Sequence, residues 1–324
     1  MLDCPGRLFT VLPRHCAERA RHRINAVLSY RHAFHAGNHA DVLKHLVLVH
    51  ALDYLAAKDA PLWYIDTHAG AGRYELGRGT ARGHTEYQDG IGALWEAKHL
   101  PPALARYREV VAMSNPGGRL QRYPGSPSIA RMLLRPQDRM WLHELHPADA
   151  LELERDSRKS PVPARVIDSD GFAGLRALLP PQPRRAIAMI DPSYELDSDY
   201  RQVVEALRDA VQRFASGVYL LWYPLLASRE SRRLPERLEA LGAAKWLHAR
   251  LELRPVQAAG SGLCGSGMFV INPPWTLREA LEECREVLPA LLAPGGGARL
   301  EIDSGSACSP RRSGREPLAK PLTF

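Results

Sequence analysis

Apolar positions change period several times along the chain. Between Ala40 and Lys58, Val42, Leu46, Val49, Leu52 and Leu55 recur at spacings of three and four, which puts them on one face of a helix and predicts an amphipathic element. Directly after it, Leu62 to Ile65 is a short apolar run stopped by Asp66-Thr67-His68-Ala69-Gly70-Ala71-Gly72. That pattern predicts a buried strand ending in a glycine-rich turn.

From about Tyr74 to Arg122 the sequence is polar and helical without strand signals, broken by Gly77, Gly79, Gly83 and Asn115-Pro116-Gly117-Gly118. This stretch is read as an inserted helical subdomain. The alternation then resumes with a helix over 126–134 and strands over 140–142, 165–167, 186–190 and 218–223. Two later strands, 245–253 and 268–271, are expected to pair as an antiparallel edge. Strands alternating with helices imply a parallel sheet covered on both faces. Residues 1–27 read as a disordered extension, 28–303 as the folded domain and 304–324, rich in Ser, Arg, Pro and Gly, as a disordered tail.

Composition narrows the class. With 324 residues and 45% hydrophobic content the chain can build a full core without covalent staples. Its five cysteines, Cys4, Cys16, Cys264, Cys284 and Cys308, are scattered and odd in number, so neither a disulfide framework nor a cysteine zinc site is favoured, and a reducing cytoplasm fits best. No run approaches the roughly 18–20 apolar residues of a membrane span. The first 26 residues hold five arginines and two histidines but no compact apolar run, unlike a secretory signal. A net charge of +7 makes a polyanionic partner plausible through phosphate contacts.

In a doubly wound sheet the ligand lies beyond the carboxyl ends of the strands, so the polar residues that close successive apolar runs should converge. Asp66, with Gly70 and Gly72, closes the first; a tight turn is the bland alternative. Glu144, in His143-Glu144-Leu145-His146-Pro147, closes the second, where a carboxylate can accept from both ribose hydroxyls of a nucleoside. Asp170-Gly171 closes the third, where a carboxylate can accept from an adenine amine; an ordinary Asp-Gly turn has the same form.

The fourth run, Ala186 to Ile190, ends in Asp191-Pro192-Ser193-Tyr194, close to the (D/N/S)PP(Y/F/W) tetrapeptide of amino-group methyltransferases. A planar amine is a weak nucleophile because its lone pair is delocalised into the ring. Acceptors on its two protons, the Asp191 carboxylate and the Pro192 carbonyl, would rehybridise it, and the Tyr194 ring could stack on the base. Asn272-Pro273-Pro274-Trp275 matches the tetrapeptide better as a string. It follows the last strand, too far along for the fourth-strand loop, and is expected to be a rigid turn.

Histidines crowd the segment Ser29 to His45. His32, His35 and His39 lack the spacing of zinc helices and Gly37 interrupts any continuous helix, so no metal is expected. This segment, together with Asp66-Thr67-His68-Ala69-Gly70-Ala71-Gly72-Arg73-Tyr74, Tyr123-Pro124-Gly125-Ser126-Pro127, Glu144-Leu145-His146-Pro147, Asp170-Gly171-Phe172 and Leu221-Trp222-Tyr223-Pro224, closely resembles the RlmJ family of bacterial 23S ribosomal RNA adenine-N6 methyltransferases. The resemblance spans about Leu28 to Asp303 with its motifs in order.

The resemblance implies a Rossmann-like class I α/β sheet with a helical insertion, S-adenosyl-L-methionine as cofactor, 23S ribosomal RNA as partner, and a cytoplasmic monomer. It implies that His45, His68, Ser126, Glu144, Asp170 and Gly171 hold the cofactor, that Asp191, with Pro192 and Tyr194, serves the adenine amine, and that Tyr30, His32 and Lys44 line the substrate side. Two departures stand out. Ser193 replaces the second proline of the family's DPPY, which predicts a looser loop and a lower rate, and residues 1–26 precede the family's usual start. Basic residues in or beside the insertion, Arg73, Arg78, Arg82, Arg106 and Arg108, could grip phosphates or form a solvated helix face. Two other functions fit the same pattern: a DNA adenine methyltransferase, or a non-catalytic RNA-binding protein.

Overall fold

Helix α1 (His39–Ala56) begins where Gly37 turns the backbone left-handed, with φ +80°. The side chain of Asn38 then caps it, accepting from the backbone N–H of Ala40 at 3.0 Å and Asp41 at 3.2 Å, which satisfies two donors that the first turn leaves unpaired. The expected amphipathic pattern is not what forms. Every residue from Ala40 to Val49 is buried, as are Ala51 and Leu52, because the helix runs between the central sheet on one side and the inserted helices on the other. Each buried leucine on it, Leu43, Leu46 and Leu48 among them, contributes about 1.5–3 kcal/mol. The computed structural model describes residues 35–77, 85–255 and 262–306.

After α1 the chain forms β1 (Trp63–Asp66), then the insertion: β2 (Arg73–Glu75), a 3-10 turn (Glu86–Asp89), α2 (Ile91–Glu96), α3 (Pro102–Met113) and β3 (Arg122–Pro124). The sequence shows no strand signal here, yet β2 and β3 pair antiparallel and tie the two ends of the insertion together. Three residues per strand are too few for a visible period-2 pattern. The alternation then continues through α4 (Ser126–Leu133), β4 (Arg139–His143), α5 (Pro147–Ser157), β5 (Ala164–Ile167), α6 (Gly171–Leu178), β6 (Ala186–Ile190), α7 (Asp197–Arg213), β7 (Val218–Leu225), α8 (Arg229–Glu239), β8 (Trp246–Glu252), β9 (Gly265–Ile271), α9 (Leu277–Glu283), α10 (Val287–Leu292) and β10 (Arg299–Gly305).

Eight strands form one sheet in the order β10-β8-β9-β7-β6-β1-β4-β5. The five from β7 to β5 are parallel; β9, β8 and β10 join antiparallel. This is the Rossmann-like α/β fold expected of a class I methyltransferase. The antiparallel pair β8 and β9 also forms, but β9 sits between β7 and β8, and the edge belongs to β10. That strand was hidden in the glycine-rich end of the chain, and it carries Ser304 and Gly305 into register with Leu247 and Trp246, so the first two residues assigned to the tail are sheet.

Strand β6 shows how both faces become buried. Ile187 and Met189 pack with Leu43, Leu46 and Tyr64 on the α1 side, while Ala188 and Ile190 pack with Val203, Leu207 and Leu175 on the other. A strand covered on both sides reads as a continuous apolar run. The chain leaves β1 toward β4 and β5, then returns to place β6 against the other side of β1. That reversal is the switch point at which such sheets open a ligand crevice. Among the described residues no helix is long and apolar enough to cross a membrane.

Candidate active site

The carboxyl ends of β1 and β6 open into a cavity of about 280 Å³. One half is lined by residues after β1 and β4 with the start of α4: His68, Ala69, Gly70, Gly125, Ser126, Glu144, His146 and Asp149. The other half is lined by Asn38, Lys44, Asp191, Pro192, Ser193, Tyr194, Trp222 and Pro224, with His45 also on the wall. Eight of the sequence-derived site residues therefore meet in one space: Lys44, His45, His68, Ser126, Glu144, Asp191, Pro192 and Tyr194.

Glu144 holds the glycine turn. Its two oxygens accept from the backbone N–H of Gly70 at 2.7 Å and of His146 at 2.7 Å. Burial raises its pKa, and those two hydrogen bonds pull it back. Gly70 has φ +62°, and a Cβ there would lie 2.4 Å from the Tyr74 hydroxyl, so a larger residue would be strained and would displace that hydroxyl. Asp66 lies beneath, wholly buried, accepting from the Tyr64 hydroxyl at 2.6 Å and the Ser126 hydroxyl at 2.7 Å. Burial pushes its carboxyl up to about 6, against the pull of those two hydroxyls. Ser126 thus joins the loop after β1 to the helix at the cavity wall. His45 bonds through Nδ1 to the Tyr123 hydroxyl at 2.6 Å, itself 2.7 Å from Tyr107, and the His68 ring meets Phe172 edge-on at 5.1 Å.

Across the cavity, Lys44 is buried with its ammonium 2.6 Å from Asp191 Oδ2 and 2.7 Å from Asp41 Oδ1. Burial alone would lower its pKa; the two carboxylates outweigh that and raise it, so it stays charged. Its ammonium also lies 5.8 Å from the centre of the Trp222 ring. Tyr194 is nearly buried, with φ +54°; its hydroxyl donates to the Trp222 carbonyl at 2.8 Å and its ring lies 4.7 Å from Tyr200. The aromatic of the tetrapeptide is therefore a fixed part of the wall.

Asp170 and Gly171 are not brought into the cavity lining. Asp170 caps α6, accepting from Phe172 N–H at 2.8 Å, and Gly171 presses so close to the Thr67 carbonyl that a Cβ would lie 1.8 Å from that oxygen. Both follow β5, and Gly171 packs on Thr67, the neighbour of the cavity-lining His68. Tyr30 and His32 lie outside the described residues, as do Arg78 and Arg82. Of the other insertion arginines, Arg73 lies 3.7 Å from Asp156, Arg106 pairs with Asp53 at 2.8 Å and Arg108 donates to the Ala97 carbonyl at 2.7 Å, so Arg106 and Arg108 brace helices.

The second tetrapeptide has a structural role. Strand β9 runs antiparallel to β7, so Asn272 emerges at the amino ends of the parallel strands, at the far end of the sheet from the cavity. There its amide donates to the carbonyls of Ala215 and Gly217 at 2.7 Å. Sequence reasoning passed over Asp41 and Asn38. Both look like ordinary first-turn and capping residues; Asp41 also pairs with Lys44 one turn on, and the approach of α1 to β6 sets that lysine against Asp191.

The family model described as Ribosomal RNA large subunit methyltransferase D, RlmJ, matches residues 59–302. Ribosomal RNA large subunit methyltransferase J of Escherichia coli (strain K12) is 46% identical over 274 residues, covering 83% of this chain and 96% of that protein. Its namesake from Haemophilus influenzae is 44% identical over 271 residues, covering 83% and 96%. The crystal structure of protein LPL1258 from Legionella pneumophila superposes with a TM-score of 0.75 at 34% identity, covering 84% of this chain and 98% of that one. The sheet order, the cavity at its switch point and these matches agree, and the chain belongs to the RlmJ family of ribosomal RNA large subunit methyltransferases.

Proposed function

We propose that this protein, acting as a monomer, transfers a methyl group from S-adenosyl-L-methionine to the N6 amine of one adenine in 23S ribosomal RNA. The observation that carries the reading is that Asp191 and Pro192 face the same cavity as Glu144 and the Gly70 turn. A nucleoside cofactor fits the half that holds Glu144 and the Gly70 turn: a carboxylate acceptor, a tight glycine turn and the nearby rings of His68 and His45. Glu144 would accept from the ribose hydroxyls. His45, His68 and Ser126 would line the same half, with Asp170 and Gly171 near His68.

When bound, S-adenosyl-L-methionine supplies an electrophilic methyl group on a sulfonium. The chain's task is then alignment and acceptance of charge. Asp191 accepts a hydrogen bond from one N6 proton and the Pro192 carbonyl from the other, which localises the amine lone pair toward the methyl. After transfer, Asp191 would take the surplus proton from the nitrogen and pass it to water. Tyr194, fixed by Trp222 and Tyr200, forms the wall beside the base, and Tyr30 and His32 would close the substrate side. The family favours RNA over duplex DNA and an enzyme over a bare RNA-binding protein. Radiolabelled methyl transfer to protein-free 23S ribosomal RNA tests this. The native chain should yield N6-methyladenosine, Asp191→Ala should lose at least about 100-fold in rate, and activity retained by that variant would overturn the assignment.

A further inference from the structure

Methylating a neutral amine moves a positive charge. The cation on sulfur is discharged as the N–C bond forms, and the nitrogen carries it until a proton leaves. A carboxylate next to that nitrogen stabilises the change, but Asp191 Oδ2 is already bonded to the Lys44 ammonium at 2.6 Å. One lysine on one carboxylate would leave the acceptor electrically neutral.

Lys44 is shared. Its ammonium is 2.7 Å from Asp41 Oδ1, and Asp41 Oδ2 in turn accepts from the backbone N–H of Gly37 at 2.8 Å. Asp41 is 1% exposed and Lys44 5%, so solvent screens none of these charges well. We propose that Asp41 is a positioning residue for methyl transfer, whose carboxylate divides the charge of Lys44 and leaves the Asp41–Lys44–Asp191 trio with a net negative charge facing the amine. It also anchors Lys44 on one oxygen of Asp191, because its own second oxygen is pinned to the turn that starts α1. The inference rests on the reading of Asp191 as the amine acceptor. Consistent with it, the two carboxylates keep Lys44 protonated despite burial. Asp66, a carboxylate that also senses Asp191, is bonded to Tyr64 and Ser126.

The test compares single-turnover methyl transfer to protein-free 23S ribosomal RNA by the native protein, Asp41→Asn, Asp41→Glu, Lys44→Gln, the Asp41→Asn/Lys44→Gln double variant and Asp191→Asn. Affinity for S-adenosylhomocysteine and melting temperature are measured for each. Asp41→Asn should slow the chemical step by about 10- to 100-fold while leaving RNA KM and S-adenosylhomocysteine affinity within about threefold. Asp41→Glu, which keeps the charge, should retain more of the rate. The double variant, in which Asp191 regains an uncompensated charge, should be at least about fivefold faster than Asp41→Asn. A packing role alone predicts the reverse: both substitutions lower the melting temperature and neither relieves the other. Asp41→Asn within about threefold of native while Asp191→Asn is inactive, or a double variant no faster than Asp41→Asn, would overturn the inference. Full activity in Asp191→Asn would instead remove the functional reading on which it stands.

Discussion

Glu144 serves the backbone and the cavity at once. Each of its oxygens accepts one short backbone N–H bond, and each has a second lone pair for a ligand. In Glu144→Gln the amide NH2 must face one of those two N–H donors, so one bond is lost at a cost of about 1–3 kcal/mol. S-adenosylhomocysteine affinity measured by calorimetry should fall by about 10- to 100-fold with kcat at saturation changed far less; unchanged affinity would remove Glu144 from the cofactor half. Among single residues, the place of Asp191 and Pro192 on the cavity wall was legible because a contiguous tetrapeptide marks them. Asp41 was not, since an acid in the first turn of a helix is already explained by the helix dipole. The Asp170 carboxylate caps α6, the local task its Asp-Gly sequence describes.

At the scale of elements, the start of α1 is held by the insertion. The Ile91 N–H donates to the Gly37 carbonyl at 2.8 Å, and a Cβ on Gly90 would lie 2.0 Å from that same oxygen and 2.6 Å from the Asn38 carbonyl carbon. Backbone cannot yield as a flexible side chain can, so Gly90→Ala should push the insertion off the turn that carries Asn38, Asp41 and Lys44. We expect a stability loss of about 2 kcal/mol or more in chemical denaturation, together with a fall in methyl transfer. A variant with native stability would show that the contact does not hold the two together. The start of α1 was legible from the spacing after Ala40 and from Gly37, whereas its burial was not. Periodicity reports which face is apolar, and Val47 and Leu48 lie off the main stripe because a second layer covers that side.

For the whole molecule, acid is the telling perturbation. His248, whose Nε2 lies 2.6 Å from the Tyr223 hydroxyl, is pushed by burial, and secondarily by Arg250, down to about 3. His39 is lowered to about 4, again chiefly by burial. Their folded values lie below the unfolded one near 6.5, so the stability they contribute is complete above that pH and is lost as pH falls toward 4. Asp66 acts in the opposite sense. Its folded value of about 6 exceeds the unfolded one, so its contribution is greatest below about 4 and disappears as pH rises through 6. From pH 6.5 to 5 the two histidines together cost up to about 4 kcal/mol and Asp66 returns about 1 kcal/mol, for a net loss of about 2–3 kcal/mol. Melting followed by circular dichroism should show this fall, and a flat profile over that range would mean that neither histidine is buried neutral.

The sequence by itself determined the alternation of strands and helices, the polar residues that close four of those strands, and the place of the tetrapeptide that begins at Asp191. All of these depend on neighbours within a few residues. The tertiary structure alone decided that β6 returns to the side of β1, that β9 enters between β7 and β8, and that Asn272-Pro273-Pro274-Trp275 emerges at the wrong end of the sheet for catalysis. It alone brought Lys44, which already neighbours Asp41 one turn away on the same helix, against Asp191, 147 residues along the chain. Strand order and charge pairing are settled by which surfaces bury each other, and no local pattern encodes that choice.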